Sequence, residues 1–378
     1  MSNGAIISFL KSKDNTVKES IMDVINLKEI VEKSVLSYLK TKITSGDLDE
    51  SNLYSLAGEH CRGIINSISH DMYDFIVAEK GLKLSDYRKP TEDFLKRLNA
   101  DWGDGFDLLE IFIAISKELA ADWIKDSDFV RNELTMSLIR LQARGCQVAS
   151  EVLVLLRNGF ADGAFARWRT LHEIAVVALF LQKHGIDSAI RYIASDVVEG
   201  YKIAKKEIEC QEAMGYDGPS VTELEDLKRH VEAVKSKFGK GICNEYGWAA
   251  PFIEKEKANF RDIERDVDLE RFRRNYGIAS ANVHAGVKGI TFKLSLLDGQ
   301  DIILSGPSNV GFVEPGHSSA IALLQVNSTF LLLQEPTQAA IYLSIMSIMC
   351  NEIGNKLLGS HAEVVKRYDN YGKTIMKS

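Results

Sequence analysis

The chain has 378 residues, of which 45% are hydrophobic and 26% charged, and 46 basic against 53 acidic residues give a net charge of −7. This balance excludes collagen, fibrous coiled coils, disordered tails and basic histone-like proteins, and it argues against a non-specific DNA binder. At about 150 residues per domain, the length predicts two domains, or one large domain with an appendage.

Helical spacing of apolar residues predicts an N-terminal helical region over residues 1–125. Gly81 and Pro90 punctuate this region, and the Gly- and Asp-rich segment 99–105 has the composition of a loop. The predicted helices of the region cover about 16–40, 50–80, 91–98 and 106–125.

Residues 126–378 form the second predicted domain, which is also mainly helical. Gly185 is a plausible end of one helix, and two short alternating segments around Asp298-Gly299 predict a small β-hairpin near 290–304. The predicted helices cover about 128–157, 160–184, 187–213, 220–240, 253–286, 316–334 and 336–358. The fold class is therefore mainly α: a helical bundle with one small β-hairpin and an N-terminal helical region.

The densest polar cluster in an apolar setting is the sequence RWRTLHE at residues 167–173. On a helix, Arg169 shares a face with His172 and can pair with Glu173. Arg167 and His172 are five residues apart, about 140° around a regular helix, so they converge only with help from a neighbouring helix or a distortion. Two interpretations stay open: an internal network that holds helices together, or a ligand or catalytic site.

A second polar stripe follows at residues 273–284. Tyr276, Ser280 and His284 recur every four residues, and Arg273 lies about one turn earlier on nearly the same face. Such a stripe could bind a phosphate or carboxylate through the Arg fork, with hydroxyl donors and His as acid or base. The alternative is a polar seam between helices. The mixed-charge run from 254 to 274 is most simply a solvated helix face.

Several other site classes are not indicated. The five cysteines are scattered without a C-x-x-C pair, which fits a reducing cytosol, and Val176 excludes a zincin motif after His172-Glu173. We expect no metal and no cofactor.

The start of the chain lacks a secretory signal pattern. The longest apolar stretch, residues 320–349, is interrupted by polar residues and predicts two core helices. We therefore expect a cytoplasmic protein with no membrane partner.

Residues 158–178, NGFADGAFARWRTLHEIAVVA, resemble a bacterial family of uncharacterised proteins, the domain of unknown function 5677 family. The Tyr276, Ser280 and His284 stripe looks like the second signature of that family. The resemblance covers about residues 130–355 and implies no established activity.

A more distant resemblance is to HEPN proteins, helical-bundle domains common in toxins and antiphage systems. Many are metal-independent ribonucleases with an R-x(4–6)-H motif, which Arg167-x4-His172 fits in spacing. The resemblance implies an Arg that steadies the scissile phosphate, a His that takes part in proton transfer, and action as a homodimer.

The leading hypothesis is accordingly a HEPN-like bacterial toxin or antiphage defence effector that cleaves RNA. Arg167 or Arg169 would contact phosphate and His172 would act as general acid or base. The candidate catalytic residues are Arg167, Arg169, His172 and His284, and the candidate binding residues are Glu173, Arg273, Arg274, Tyr276 and Ser280. The alternative is a non-catalytic interaction or sensor module, whose Arg/His/Tyr cluster is structural or binds a small anionic ligand, with a partner protein or a second copy.

Overall fold

The computed structural model describes residues 27–46, 53–125, 129–215, 217–284, 286–297 and 302–375. All regular secondary structure within these ranges is helical. The mainly α fold class is thereby confirmed. The α-helices are α1 (Leu27–Ser45), α2 (Leu53–Lys125), α3 (Glu133–Arg157), α4 (Ala161–Met214), α5 (Val221–Phe238), α6 (Phe260–Asp266), α7 (Arg273–Ala281), α8 (Val287–Thr291), α9 (Val313–Leu331) and α10 (Pro336–Ile375). Short 3-10 helices lie at Lys240–Cys243, Ala250–Phe252 and Glu270–Phe272.

Contacts within the chain divide it into two compact units, residues 1–93 and residues 94–378. In the first unit, the Tyr38 ring of α1 stacks on His60 of α2 with the ring centroids 3.8 Å apart. The domain boundary proposed near residue 125 stays a prediction, because a division by contacts does not establish which part folds independently.

The loop predicted at 99–105 is wrong, because α2 continues through it. Leu98, Trp102 and Phe106 recur every four residues along this part of the helix, and all three are buried. The Trp102 ring meets the Phe312 ring edge-on, with centroids 4.9 Å apart. Burial of these large side chains outweighs the polar composition of the segment. Gly81 and Pro90 likewise lie inside α2.

The second unit is built on α3 and α4, which pack against each other, with α9 against both and α10 against α9. α3 begins at an Asn132–Thr135 capping box, which satisfies backbone N–H groups at the helix start. The turn to α4 passes through Gly159 at φ 83°, where an added Cβ would lie 2.7 Å from Pro307. The turn therefore requires glycine for both its conformation and its close contact.

Gly185 interrupts α4 with φ 72° and ψ −160°, so the two predicted helices appear as one element with a sharp kink. The apolar segment 320–349 lies in α9 and α10, as two helices of the bundle. Within the described part of the chain, no helix combines the length and the apolarity that crossing a membrane would require.

The β-hairpin predicted near 290–304 is wrong, since no strand occurs among the described residues of this segment. Residues 287–291 form α8, and residues 298–301, with the expected Asp298-Gly299 turn, lie outside the described residues. The Leu294 backbone N–H donates to the Asp162 carboxylate at 2.9 Å. The Asp162 side chain thus holds this segment at the start of α4. The hairpin prediction failed because a short alternating pattern does not by itself supply a second strand to pair with.

The single helix predicted over 253–286 is also wrong, since α6, a 3-10 turn and α7 replace it. An Asn259–Asp262 capping box starts α6, and Asp268 at φ 57° lies in the left-handed region just after that helix. These local breaks fold the segment across α4, where α6 and α7 both make contact.

Candidate functional site

The first polar signature, residues 167–173, lies within the first four turns of α4 and spreads around the helix. Trp168 is buried, and its indole N–H donates to the Ser318 carbonyl of α9 at 3.0 Å. This anchor fixes the rotation of α4 within the bundle. The charged residues on either side of Trp168 consequently face different neighbours.

Arg167 faces α3. Its guanidinium pairs with the Glu151 carboxylate of that helix and also donates to the Thr170 hydroxyl at 3.2 Å. His172 instead faces α6 and α7. The two residues of the R-x4-H spacing therefore point toward different helices, as their separation of about 140° on a regular helix predicts.

His172 is enclosed, with 1% of its side chain exposed, and its Nε2 lies 3.0 Å from Oε1 of Glu264 in α6. The Glu264 side chain is 0% exposed, and its Oε2 accepts from Arg273 Nη1 of α7 at 2.7 Å. A buried carboxylate needs such partners, because an unpaired buried charge is costly. His172, Glu264 and Arg273 therefore form one connected chain across three helices.

Aromatic rings close the space around His172. The ring centroids of four neighbours lie between 5.4 and 6.2 Å from that of His172. They belong to Trp168, Phe260, Phe272 and Tyr276. This cage separates the imidazole from bulk water and fixes the ring against Glu264.

A second, more exposed network lies beside the first. Oε1 of Glu173 accepts from Arg169 Nε at 3.1 Å and from the Tyr276 hydroxyl at 2.6 Å. The guanidinium carbons of Arg169 and Arg273 lie 4.7 and 4.9 Å from the Tyr276 ring centroid. Burial and the hydrogen bond to Glu173 raise the pKa of Tyr276 to about 12.

The second signature joins this site only in part. Arg273 and Tyr276 take part, whereas the Ser280 hydroxyl donates at 2.7 Å to the Tyr276 carbonyl of its own helix. Arg274 is exposed. α7 ends at Ala281, so His284 lies beyond the helix and is exposed to solvent. The regular spacing of the stripe thus does not place all of its members on one face.

Sequence reasoning missed Glu264, which lies within the mixed-charge run interpreted as a solvated face. A usable signal was the Asn259–Asp262 capping pattern, which starts a short helix with Phe260 and Glu264 one turn apart. Tyr246, whose ring centroid lies 6.2 Å from that of Phe260 in the aromatic cage, was missed as well. Burial, followed by the charges of Glu245 and Glu173, raises its pKa to about 12.

Each carboxylate of the arrangement is paired with a guanidinium group of the same network. The carboxylates of Glu173 and Glu264 meet the guanidinium groups of Arg169 and Arg273, and His172 completes the buried part. Among the described residues, no group of three or more His, Cys, Asp or Glu side chains is arranged to hold a metal ion. The geometry suits cross-linking of α4, α6 and α7 by polar contacts.

Comparison with known proteins places both signatures in one family region. Residues 136–301 match the model described as "Family of unknown function (DUF5677)". No curated protein matches this chain, and no solved structure matches it. The matched region runs from α3 to just beyond α8 and contains the whole network around His172. The similarity to this family of unknown function is therefore confined to residues 136–301, and the family description names no activity.

Proposed function

We propose that this protein is a non-catalytic interaction or sensor module in which the His172 network is structural. The observation that carries the proposal is the enclosure of His172, 1% exposed and bound to a fully buried Glu264. A general acid or base must come within hydrogen-bond reach of the proton that it transfers. In this arrangement the imidazole reaches a carboxylate of its own chain.

Arg167 supports the same proposal. Its guanidinium is committed to Glu151 on the α3 side of α4, away from His172. A phosphate held between Arg167 and His172 would have to span the width of the helix. The R-x4-H spacing is therefore better explained by two separate contacts of α4 with its neighbours.

The partner that fits this module best is a second copy of the chain, docked on the first turns of α10. No charged residue occurs between Glu335 and Glu352. Ile341, Ile345 and Ile348 are 55%, 45% and 64% exposed along one face of this uncharged segment. An antiparallel two-fold pairing sets Ile341 of one copy against Ile348 of the other, so the face is complementary to itself.

Sedimentation or light scattering of the purified chain tests this partner. We expect a dimer that Ile345→Glu converts to monomer, while Ile203→Glu, at an isoleucine of α4 that is 57% exposed, leaves the dimer intact. A monomeric wild-type chain, or dissociation by both variants alike, contradicts the second copy as partner.

The structural role of His172 is tested by thermal unfolding together with RNA cleavage in EDTA. We expect His172→Ala to lower Tm by several degrees and wild-type protein to leave RNA intact. Arg140→Ala, at an exposed arginine of α3, controls for loss of a surface charge. Cleavage of RNA by wild type, abolished by His172→Ala with unchanged Tm, refutes the proposal.

A second candidate function is a HEPN-like toxin or antiphage defence effector with metal-independent endoribonuclease activity. One observation favours it: Arg273 from α7 reaches the carboxylate that holds His172, so a neighbouring helix brings a second arginine to the histidine. Its substrate would be RNA, with Arg169 or Arg273 at the phosphate. It predicts growth arrest on expression, relieved by His172→Ala. Absence of that relief contradicts it.

A further inference from the structure

A cleft of about 570 Å³ opens between α2 and α10, remote in sequence from the family signatures. Its volume falls within the usual range of small-molecule sites, roughly 300–1,000 Å³. Its polar and aromatic lining comes from three places. These are Phe94, Arg97 and Asp101 of α2, Asn309 in the loop before α9, and Arg367 and Tyr368 of α10.

The base of the cleft is held rigidly. The two oxygens of Asp101 are both engaged, Oδ1 at 2.7 Å from Arg367 Nη2 and Oδ2 accepting from Asn309 Nδ2 at 2.8 Å. Asn309 Oδ1 in turn accepts from the Trp102 indole N–H at 3.0 Å, and Trp102 is fully buried in the core. The cleft is therefore connected directly to the packed interior of the second unit.

The charge of the cleft is positive although the chain as a whole is acidic. Arg367 neutralises Asp101 through a contact at Nη2, and a guanidinium carries five N–H donors, so donors remain for a ligand. Arg97 lines the same cleft, is exposed, and makes no ion pair with the residues that the structure describes. Two guanidinium groups and one carboxylate give the cleft a net positive charge, which favours an anionic ligand. Arg suits such a ligand because its planar guanidinium can donate two parallel hydrogen bonds to it.

Two aromatic side chains, Phe94 and Tyr368, line the cleft beside these arginines. Phe94 packs partly against the core, and Tyr368 is 46% exposed. Aromatic rings of this kind stack on flat heterocycles, which adds to the binding energy of a charged group. A small anion alone would leave this aromatic surface unused.

We propose that this cleft binds a nucleoside monophosphate, with the phosphate at Arg97 and Arg367 and the base against Phe94 and Tyr368. The proposal rests on the cleft and does not depend on the role of His172. It gives the protein a ligand site outside the matched family region, since all of its lining residues lie beyond residues 136–301.

Isothermal titration of the full chain tests the site, with adenosine monophosphate, inorganic phosphate and adenosine as separate probes. We expect adenosine monophosphate to bind at least about tenfold more tightly than either other probe, because only it engages both halves of the cleft. Equal affinity for adenosine monophosphate and phosphate overturns the proposal, as does the absence of binding at millimolar concentration.

Variants locate the binding. Arg97→Ala should weaken binding of adenosine monophosphate at least about tenfold, since it removes a charged donor, whereas Arg140→Ala on α3 leaves it unchanged. Tyr368→Ala should reduce the affinity toward that of phosphate, while Tyr368→Phe retains it. Equal losses in Arg97→Ala and Arg140→Ala indicate non-specific attraction and refute the site.

His172→Gln separates this proposal from the proposed function. The substitution should leave nucleotide affinity unchanged in folded protein, whatever the outcome of the RNA cleavage assay. Loss of nucleotide binding in folded His172→Gln protein would place the ligand at the His172 network and overturn the cleft as its site.

Discussion

His172 and Arg167 lie five residues apart on α4, and each pairs with a glutamate of a neighbouring helix. The His172–Glu264 pair is 1% and 0% exposed, whereas the side chains of Arg167 and Glu151 are 27% and 38% exposed. Water can solvate Arg167 and Glu151 when their pair breaks, but it cannot reach His172 and Glu264. Removal of one partner is therefore expected to destabilise the protein much more inside the aromatic cage than on the α3 side.

The largest expected effect belongs to the enclosed pair. Glu264→Ala removes the acceptor of both His172 and Arg273, and we expect the free energy of unfolding to fall by about 3–5 kcal/mol. Urea denaturation measures this change. Glu264→Gln keeps the shape and part of the hydrogen bonding, so it should cost less than Glu264→Ala. A loss below about 1 kcal/mol for Glu264→Ala would contradict the difference between the two pairs.

An intermediate effect is expected at Tyr276, which lies between the enclosed and exposed parts of the network. Tyr276→Phe removes the hydrogen bond to Glu173 and should lower the unfolding free energy by about 1 kcal/mol near neutral pH. Glu151→Gln is the control, because it changes an acidic residue on the α3 side and leaves the contacts of Tyr276 untouched.

The pH dependence of Tyr276 has a defined sign. Its pKa is raised from 10.0 to about 12 in the folded chain, first by burial and then by Glu173. The unfolded chain therefore loses this proton first as the pH rises, so the stabilisation is complete below pH 10 and is lost between about pH 10 and 12. Tyr276→Phe should make the stability curve less steep in that window. An unchanged slope would show that Tyr276 does not contribute to it.

The smallest effect is expected for the exposed pair. A double-mutant cycle with Arg167→Ala and Glu151→Ala should give a coupling energy below about 1 kcal/mol, because both side chains remain accessible to water and salt. Thermal unfolding at low and high salt measures it. A coupling above about 2 kcal/mol, or one that does not fall with salt, would remove the contrast with the buried pair.

Much of the fold follows from local sequence patterns, and the errors have a common cause. Periodic apolar residues predict α3 and α4 closely, and the Gly185 interruption lies where a helix end was expected. The predicted loop at 99–105 fails because Trp102 and Phe106 are buried by residues far along the chain. Composition describes a segment in isolation, whereas burial depends on what packs against it.

For the candidate site, the sequence by itself determined the Arg169–Glu173 pair and the wide angular separation of Arg167 from His172, because both follow from the repeat of an α-helix. Only the tertiary structure decided that Glu264 reaches His172 and that Arg273 and Tyr276 join them while His284 does not. Glu264 and His172 are 92 residues apart, and their contact exists because α6 and α7 fold back across α4. The cleft at Arg97 and Arg367 has the same origin, since α2 and α10 come together only through the packing of the core.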